Sequence, residues 1–112
     1  MPVFDSPSQL HEEAHALYRD GKNQAAALVW AKARQAALTL GDRAEAFRNG
    51  FWEAEATRSG GDLEKARDLF FLLLSDVPTD APAYELWSAN KQAFALRMDS
   101  RPAKAPLERQ LI

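Results

Sequence analysis

The sequence predicts an all-α fold of about five antiparallel helices, with one helical domain over residues 1–98 and a flexible tail over residues 99–112. Apolar residues recur at spacings of three and four through most of the chain, which is typical of helices with one buried face. Glycine-containing breaks interrupt this pattern at Gly21, Gly41 and Gly60–Gly61, and such breaks favour helix ends. Gly21 and Gly61 belong to a set of similar residues that recurs with an offset of 40 positions.

The composition narrows the class of protein and of partner. A 112-residue chain with 46% hydrophobic and 27% charged residues is typical of one soluble globular domain. It has no cysteine, which excludes disulfides, zinc–cysteine sites and thiol catalysis and suits a reducing compartment. Acidic and basic residues are interspersed with a net charge of −2, so we expect no nucleic-acid partner.

The sequence also predicts a protein that does not associate with membranes. Its longest apolar run, Ala25–Ala31, has seven residues, far fewer than the roughly 20 that a membrane helix requires. The N-terminal residues lack the basic and apolar regions of a signal peptide. We therefore expect a cytoplasmic location.

Helix 1 is predicted from Ser6 to about Arg19. Ser6 and Gln9 have the spacing of a capping box, and Pro7 suits the first helical position. One face carries apolar residues at helical spacing, namely Leu10, Ala14 and Leu17.

Helix 2 is predicted to begin at Asn23 as the capping residue and to end at Gly41. Its apolar face carries small and large residues at helical spacing: Ala26, Val29, Trp30, Ala33 and Ala37. Asp42 and Glu45 then form a second predicted capping box.

Helix 3 is predicted over residues 43–58 and has two aromatic directions. Phe47, Phe51 and Ala54 share one face, whereas Trp52 and Ala56 point elsewhere. Glycine in a helix interior lowers helix stability by about 1 kcal/mol relative to alanine. We expect Gly50 to permit close approach of another helix.

Helix 4 is predicted to begin at the capping residue Asp62 and to end before Pro78. Its main face carries Ala66, Leu69, Phe70 and Leu73, and further apolar residues widen this face, so we expect helix 4 to be the most buried helix.

Helix 5 follows the start signal at residues 79–82 and has two apolar stripes. The first stripe contains Tyr84, Trp87, Phe94 and Met98, and the second contains Leu86, Ala93 and Leu96. The tail after it ends in three aliphatic residues, Leu107, Leu111 and Ile112.

The 40-residue offset relates two helix pairs. Ala14, Gly21, Ala26 and Trp30 correspond to Ala54, Gly61, Ala66 and Phe70. The pattern Ala66, Phe70 and Pro78 resembles the second helix of a tetratricopeptide repeat, in which alanine, an aromatic residue and proline recur. The first helices depart from that family, and the offset exceeds its 34-residue period. The resemblance implies two divergent helix pairs and a capping fifth helix; a generic five-helix bundle is the alternative.

The resemblance also implies a site. The first helix of each pair would line a concave surface that holds a peptide or a partner helix. The residues expected there come from helices 1 and 3: His11, His15, Tyr18, Arg19, Phe51, Glu55 and Arg58. Family members that grip a C-terminal carboxylate use lysines and asparagines where this chain has histidines, so that ligand is not expected here. No cofactor is expected, and the partner would be a protein or peptide.

Two other functions stay open from the sequence. His11-Glu12-x-x-His15 matches the pattern of zinc hydrolases, in which two histidines bind the metal and the glutamate polarises water. Glu55 or Glu53 would then supply a third ligand, but short patterns recur by chance and carboxylates suit a helix N-terminus without any metal. A structural homodimer without a separate ligand is the other alternative, suggested by Trp52 and the aliphatic end of the tail.

Overall fold

The computed structural model describes residues 6–99, with side chains as far as Arg97, and it confirms an all-α fold. Its five helices are α1 (Pro7–Arg19), α2 (Asn23–Thr39), α3 (Arg43–Ser59), α4 (Leu63–Leu74) and α5 (Ala83–Asp99). No strand occurs between residues 6 and 99. Among these five helices, none is long and apolar enough to cross a membrane. Of the tail predicted over residues 99–112, Asp99 is the last residue of α5, and residues 100–112 lie outside the described residues.

The helices form two layers. Each helix packs against the next one along the chain, and α3 also contacts both α1 and α5. Helices α1, α3 and α5 therefore make one layer, and α2 and α4 make the other. This arrangement brings the side chains of α1, α3 and α5 together along one face of the molecule.

Three of the four predicted capping residues, Ser6, Asp42 and Asp62, cap the helices that follow them. The Ser6 side chain and Gln9 form the full capping box, and the carboxylates of Asp42 and Asp62 accept from the N–H groups of Glu45 and Lys65.

Two details of the predicted helix starts are wrong. Asn23 does not cap α2: it is the first helical residue, after Lys22, which makes no side-chain cap. The carboxylate of Glu45 does not complete a box with Asp42, because it is bound by Arg48 and Asn49.

The first three helices each end in a turn of the same type. After α3, the N–H of Gly61 donates to the carbonyl oxygen of Arg58 and the N–H of Asp62 donates to that of Thr57. Gly61 has a φ of 96°, a left-handed conformation that strains other L-residues. The turns at Gly21 and Gly41 have the same bonds at intervals of 20 residues, so successive helices reverse direction in the same way.

The core contains two clusters that repeat the 40-residue offset. One, around Ala14, Ala26 and Trp30, joins α1, α2 and α3; the other, around Ala54, Ala66 and Phe70, joins α3, α4 and α5. All six side chains are fully buried. Trp52 packs against both clusters, so it connects the two halves of the molecule.

The most buried helix is α3, and the prediction that α4 would be is wrong. Nine residues of α3 are buried, against two of α4, Ala66 and Phe70. The reason is topological: α3 is covered on several sides by α1, α2, α4 and α5, whereas Phe71 and Leu72 face outwards. Gly50 permits the close approach expected of it, because a Cβ there would lie 2.7 Å from Cδ1 of Leu73.

Candidate functional site

The residues predicted to line the concave surface lie in four different environments. His11, His15 and Tyr18 are half-buried against α2 and α3, and Arg19 is exposed. Glu55 and Arg58 form an ion pair on α3 in which Arg58 Nε donates to Glu55 Oε1 over 3.1 Å. Phe51 does not line a surface: it is 1% exposed and packs into the cluster with α4 and α5, because this face of α3 points between those helices.

His11 lies at the centre of a polar contact among α1, α2 and α3. The indole Nε1 of the buried Trp30 lies 2.8 Å from His11 Nδ1, and Asn49 Oδ1 lies 3.0 Å from the same nitrogen. An indole N–H can only donate, so the bond to Trp30 requires an unprotonated Nδ1. The Asn49 oxygen can only accept, so a bond to it requires a protonated Nδ1. Protonation of His11 therefore exchanges one partner for the other.

Asn49 is held in the orientation that produces this competition. Its side chain is fully buried, and its Nδ2 donates to the carbonyl oxygen of Glu45 over 2.9 Å and to Glu45 Oε2 over 3.2 Å. These acceptors fix the amide nitrogen towards Glu45 and the amide oxygen towards His11. A neutral His11 with its proton on Nε2 is thus the form that satisfies the buried Trp30.

An aromatic surface surrounds this polar contact and extends to α5. The ring of His15 lies 4.9 Å from that of Trp52, and the ring of Tyr18 lies 6.3 Å from it. On the other side, Trp52 Nε1 donates to Glu85 Oε2 over 3.1 Å, and Phe51 connects the rings of Trp52 and Tyr84. We call His15, Tyr18 and Trp52 the aromatic face.

Burial lowers the pKa of both histidines below the usual value of 6.5. Desolvation is the main cause for each, since a charged imidazole loses hydration next to the indole rings. For His11, Arg48 also lowers the pKa, while Asn49, Glu45 and Glu85 oppose the shift. For His15, the neighbouring His11, Arg19 and Arg48 lower the pKa further, and Glu12 opposes them.

The free energy of unfolding is therefore expected to fall as the pH decreases through 6.5. The unfolded chain binds protons there that the folded protein resists binding, so the histidine contribution is complete above this pH and is lost below it. Urea unfolding at about pH 7.5 and about pH 5.5 will measure the loss. The variant His11→Gln/His15→Gln should show a smaller loss than the wild type over the same interval. Equal pH dependence of the two proteins would contradict this expectation.

The zinc pattern at His11 and His15 does not gain a third ligand from α3. Both carboxylate oxygens of Glu55 are bound by Arg58, and Glu53 Oε1 accepts from Arg34 Nε on the α2 side. Within the described part of the chain, no three His, Cys, Asp or Glu side chains are grouped to hold a metal ion. The two imidazole rings contact each other edge to face, 4.6 Å apart, and His11 Nδ1 faces Trp30.

Three residues of this region were missed by reasoning from the sequence. Asn49 was not singled out in the sequence and is a buried hydrogen-bonding group. The sequence pattern gives Trp52 a direction away from the main apolar face of helix 3 and assigns neither Trp52 nor Glu85 to the site. A partial signal for Trp52 existed: a large aromatic residue that leaves the main apolar face of a helix indicates a second neighbour.

Comparison of the chain with protein-family models, with curated proteins and with solved structures found no match.

Proposed function

We propose that the protein is a small interaction module that binds a peptide or protein segment on the face where α1, α3 and α5 meet. The observation that supports this most is the aromatic face, in which Trp52 contacts the rings of His15 and Tyr18 on α1 and donates to the Glu85 carboxylate on α5. Tyrosine and tryptophan are enriched at the energetic centres of protein interfaces because they offer large apolar areas with a polar end.

The charges around the aromatic face favour a partner that is not strongly charged. Glu55 is paired with Arg58, and Glu45 is paired with Arg48, so these groups neutralise each other beside the rings. Arg19 is exposed at the end of α1 and makes an available donor at the rim. The expected ligand is a segment with apolar or aromatic side chains and a carboxylate or carbonyl group that Arg19 or Arg58 can bind.

The proposal includes a tetratricopeptide-like arrangement of the helices and a cytoplasmic location. The two-layer order and the paired buried residues Ala26 and Trp30, and Ala66 and Phe70, support the arrangement. In such an arrangement the first helices of the pairs present the binding surface. The absence of cysteine in the sequence is in keeping with a reducing compartment.

Peptide display against the full chain, followed by calorimetry on the selected peptides, tests the proposed surface. The variant Arg19→Glu/Arg58→Gln is expected to weaken binding by about tenfold or more, as loss of interface arginines usually does. The matched control is Lys32→Glu, an exposed charge on the outer side of α2, which should bind as the wild type does. Equal affinities for both variants would show that the peptides bind elsewhere.

A further inference from the structure

Helix α5 carries an exposed row of aromatic side chains on the side opposite its buried face. Tyr84, Trp87 and Phe94 are 57%, 60% and 67% exposed, and their spacings of three and seven place them on one side of the helix. The buried face consists of small residues and one leucine, namely Ser88, Ala89, Ala93 and Leu96. We call the three aromatic residues the α5 stripe. Lys91 continues it, with Nζ 4.8 Å from the centre of the Trp87 ring.

We propose that the C-terminal segment of the same chain, residues 100–112, covers the α5 stripe. Leu107, Leu111 and Ile112 are its aliphatic residues, and the spacing of four between the two leucines is that of one helix face. Pro102 and Pro106 add two further apolar side chains. The segment thus has the apolar side chains that a row of aromatic rings requires as a partner.

The length of the segment fits this placement. Along α5, the distance from Asp99 back to Trp87 is about 18 Å at 1.5 Å per residue. The seven residues between Asp99 and Leu107 span up to about 23 Å when extended. Leu107 can therefore reach the Trp87 ring while the residues after it extend over the neighbouring part of the stripe.

The size of the stripe favours this segment over a second copy of the chain. Three aromatic side chains at this exposure offer roughly 300–400 Å² of surface, whereas a stable interface requires about 800 Å² from each partner. A segment attached to the same helix binds without the loss of translational freedom that two separate molecules incur. A small apolar surface is thus enough for the attached segment, whereas a dimer would have to bury further surface around the stripe.

Quenching of a fluorescent label by tryptophan tests the contact in the full chain. Because the sequence contains no cysteine, Gln110→Cys provides a unique site for a bimane label, which tryptophan quenches on contact. Fluorescence is expected to rise at least about twofold when Trp87→Phe is added, since a tethered segment is mostly docked. Leu107→Ser/Leu111→Ser should give a similar rise. A label at Ser8→Cys, on the exposed start of α1, controls for indirect effects.

Two outcomes would overturn the proposal. The first is a label at position 110 whose fluorescence is the same with Trp87 and with Phe at that position. The second is quenching of a labelled Trp87→Phe chain by added unlabelled wild-type chain, which would assign the contact to a second molecule. Quenching within one chain at all protein concentrations supports the proposal.

Discussion

Replacing Trp30 by alanine is expected to lower the free energy of unfolding by about 3–5 kcal/mol, the range for loss of a large buried aromatic side chain. Trp30 is fully buried between α1, α2 and α3, and its ring stacks on that of Trp52 at 5.7 Å. The substitution also removes the N–H that donates to His11, so that Asn49 remains as the partner of His11 Nδ1. The cavity left by the indole ring is therefore the main cause of the expected loss.

Urea unfolding followed by far-UV circular dichroism will measure the effect of Trp30→Ala. Leu28→Ala is the matched control, because Leu28 lies in the same helix and is 67% exposed. Its substitution should change the free energy of unfolding by less than about 0.5 kcal/mol. Similar losses for the two variants would mean that the α1–α2–α3 cluster does not stabilise the fold as the structure indicates.

Phe70→Ala is the second substitution with a large expected effect, again about 3–5 kcal/mol. Phe70 is the counterpart of Trp30 in the other cluster, where it lies 5.9 Å from the Phe51 ring and contacts residues of α5. Because α5 packs only on α4 and α3 within the described residues, we expect the damage to be concentrated there. Amide hydrogen exchange should accelerate more in α4 and α5 than in α1 and α2.

The control for Phe70→Ala is Leu72→Ala, two positions further along α4. Leu72 is 68% exposed, so its loss should leave both the unfolding midpoint and the exchange rates close to those of the wild type. If exchange in α1 rose as much as exchange in α5 after Phe70→Ala, the two clusters would not be separate sources of stability.

Much of the fold could be predicted because its signals are local. The capping box at Ser6 and Gln9, the aspartate caps and the left-handed glycines each depend on residues a few positions apart. The burial of α4 could not be predicted in this way. Its face is more apolar than that of α3, but burial depends on the number of neighbouring helices, and α3 lies between more of them.

Helix α5 shows the same difference between composition and burial. Its two apolar stripes were visible in the sequence, yet the structure buries the stripe of small residues with Leu96 and exposes the aromatic one. Small residues let α4 approach closely, whereas Trp87 and Phe94 would hold it away. A periodic pattern identifies the faces of a helix and does not say which one meets a neighbour.

The contacts of the α1 residues could not be predicted from the sequence. The residues of α1 were assigned to the surface through the repeat pattern, and His11, His15 and Tyr18 do meet α3. The bonds from His11 to Trp30 and Asn49 join residues 19 and 38 positions apart. No local pattern specifies such bonds, because they follow from the packing angles of three helices.

The position of Trp52 between the two clusters has a consequence for cooperativity. Each cluster holds three helices together, and α3 belongs to both, but Trp52 is the side chain that packs on both sides at once. Part of the free energy that couples the two halves therefore depends on the contacts of the Trp52 indole ring. The two clusters resemble two short folding units that share α3. The strength of the interaction between them decides whether the protein unfolds in one transition or in two.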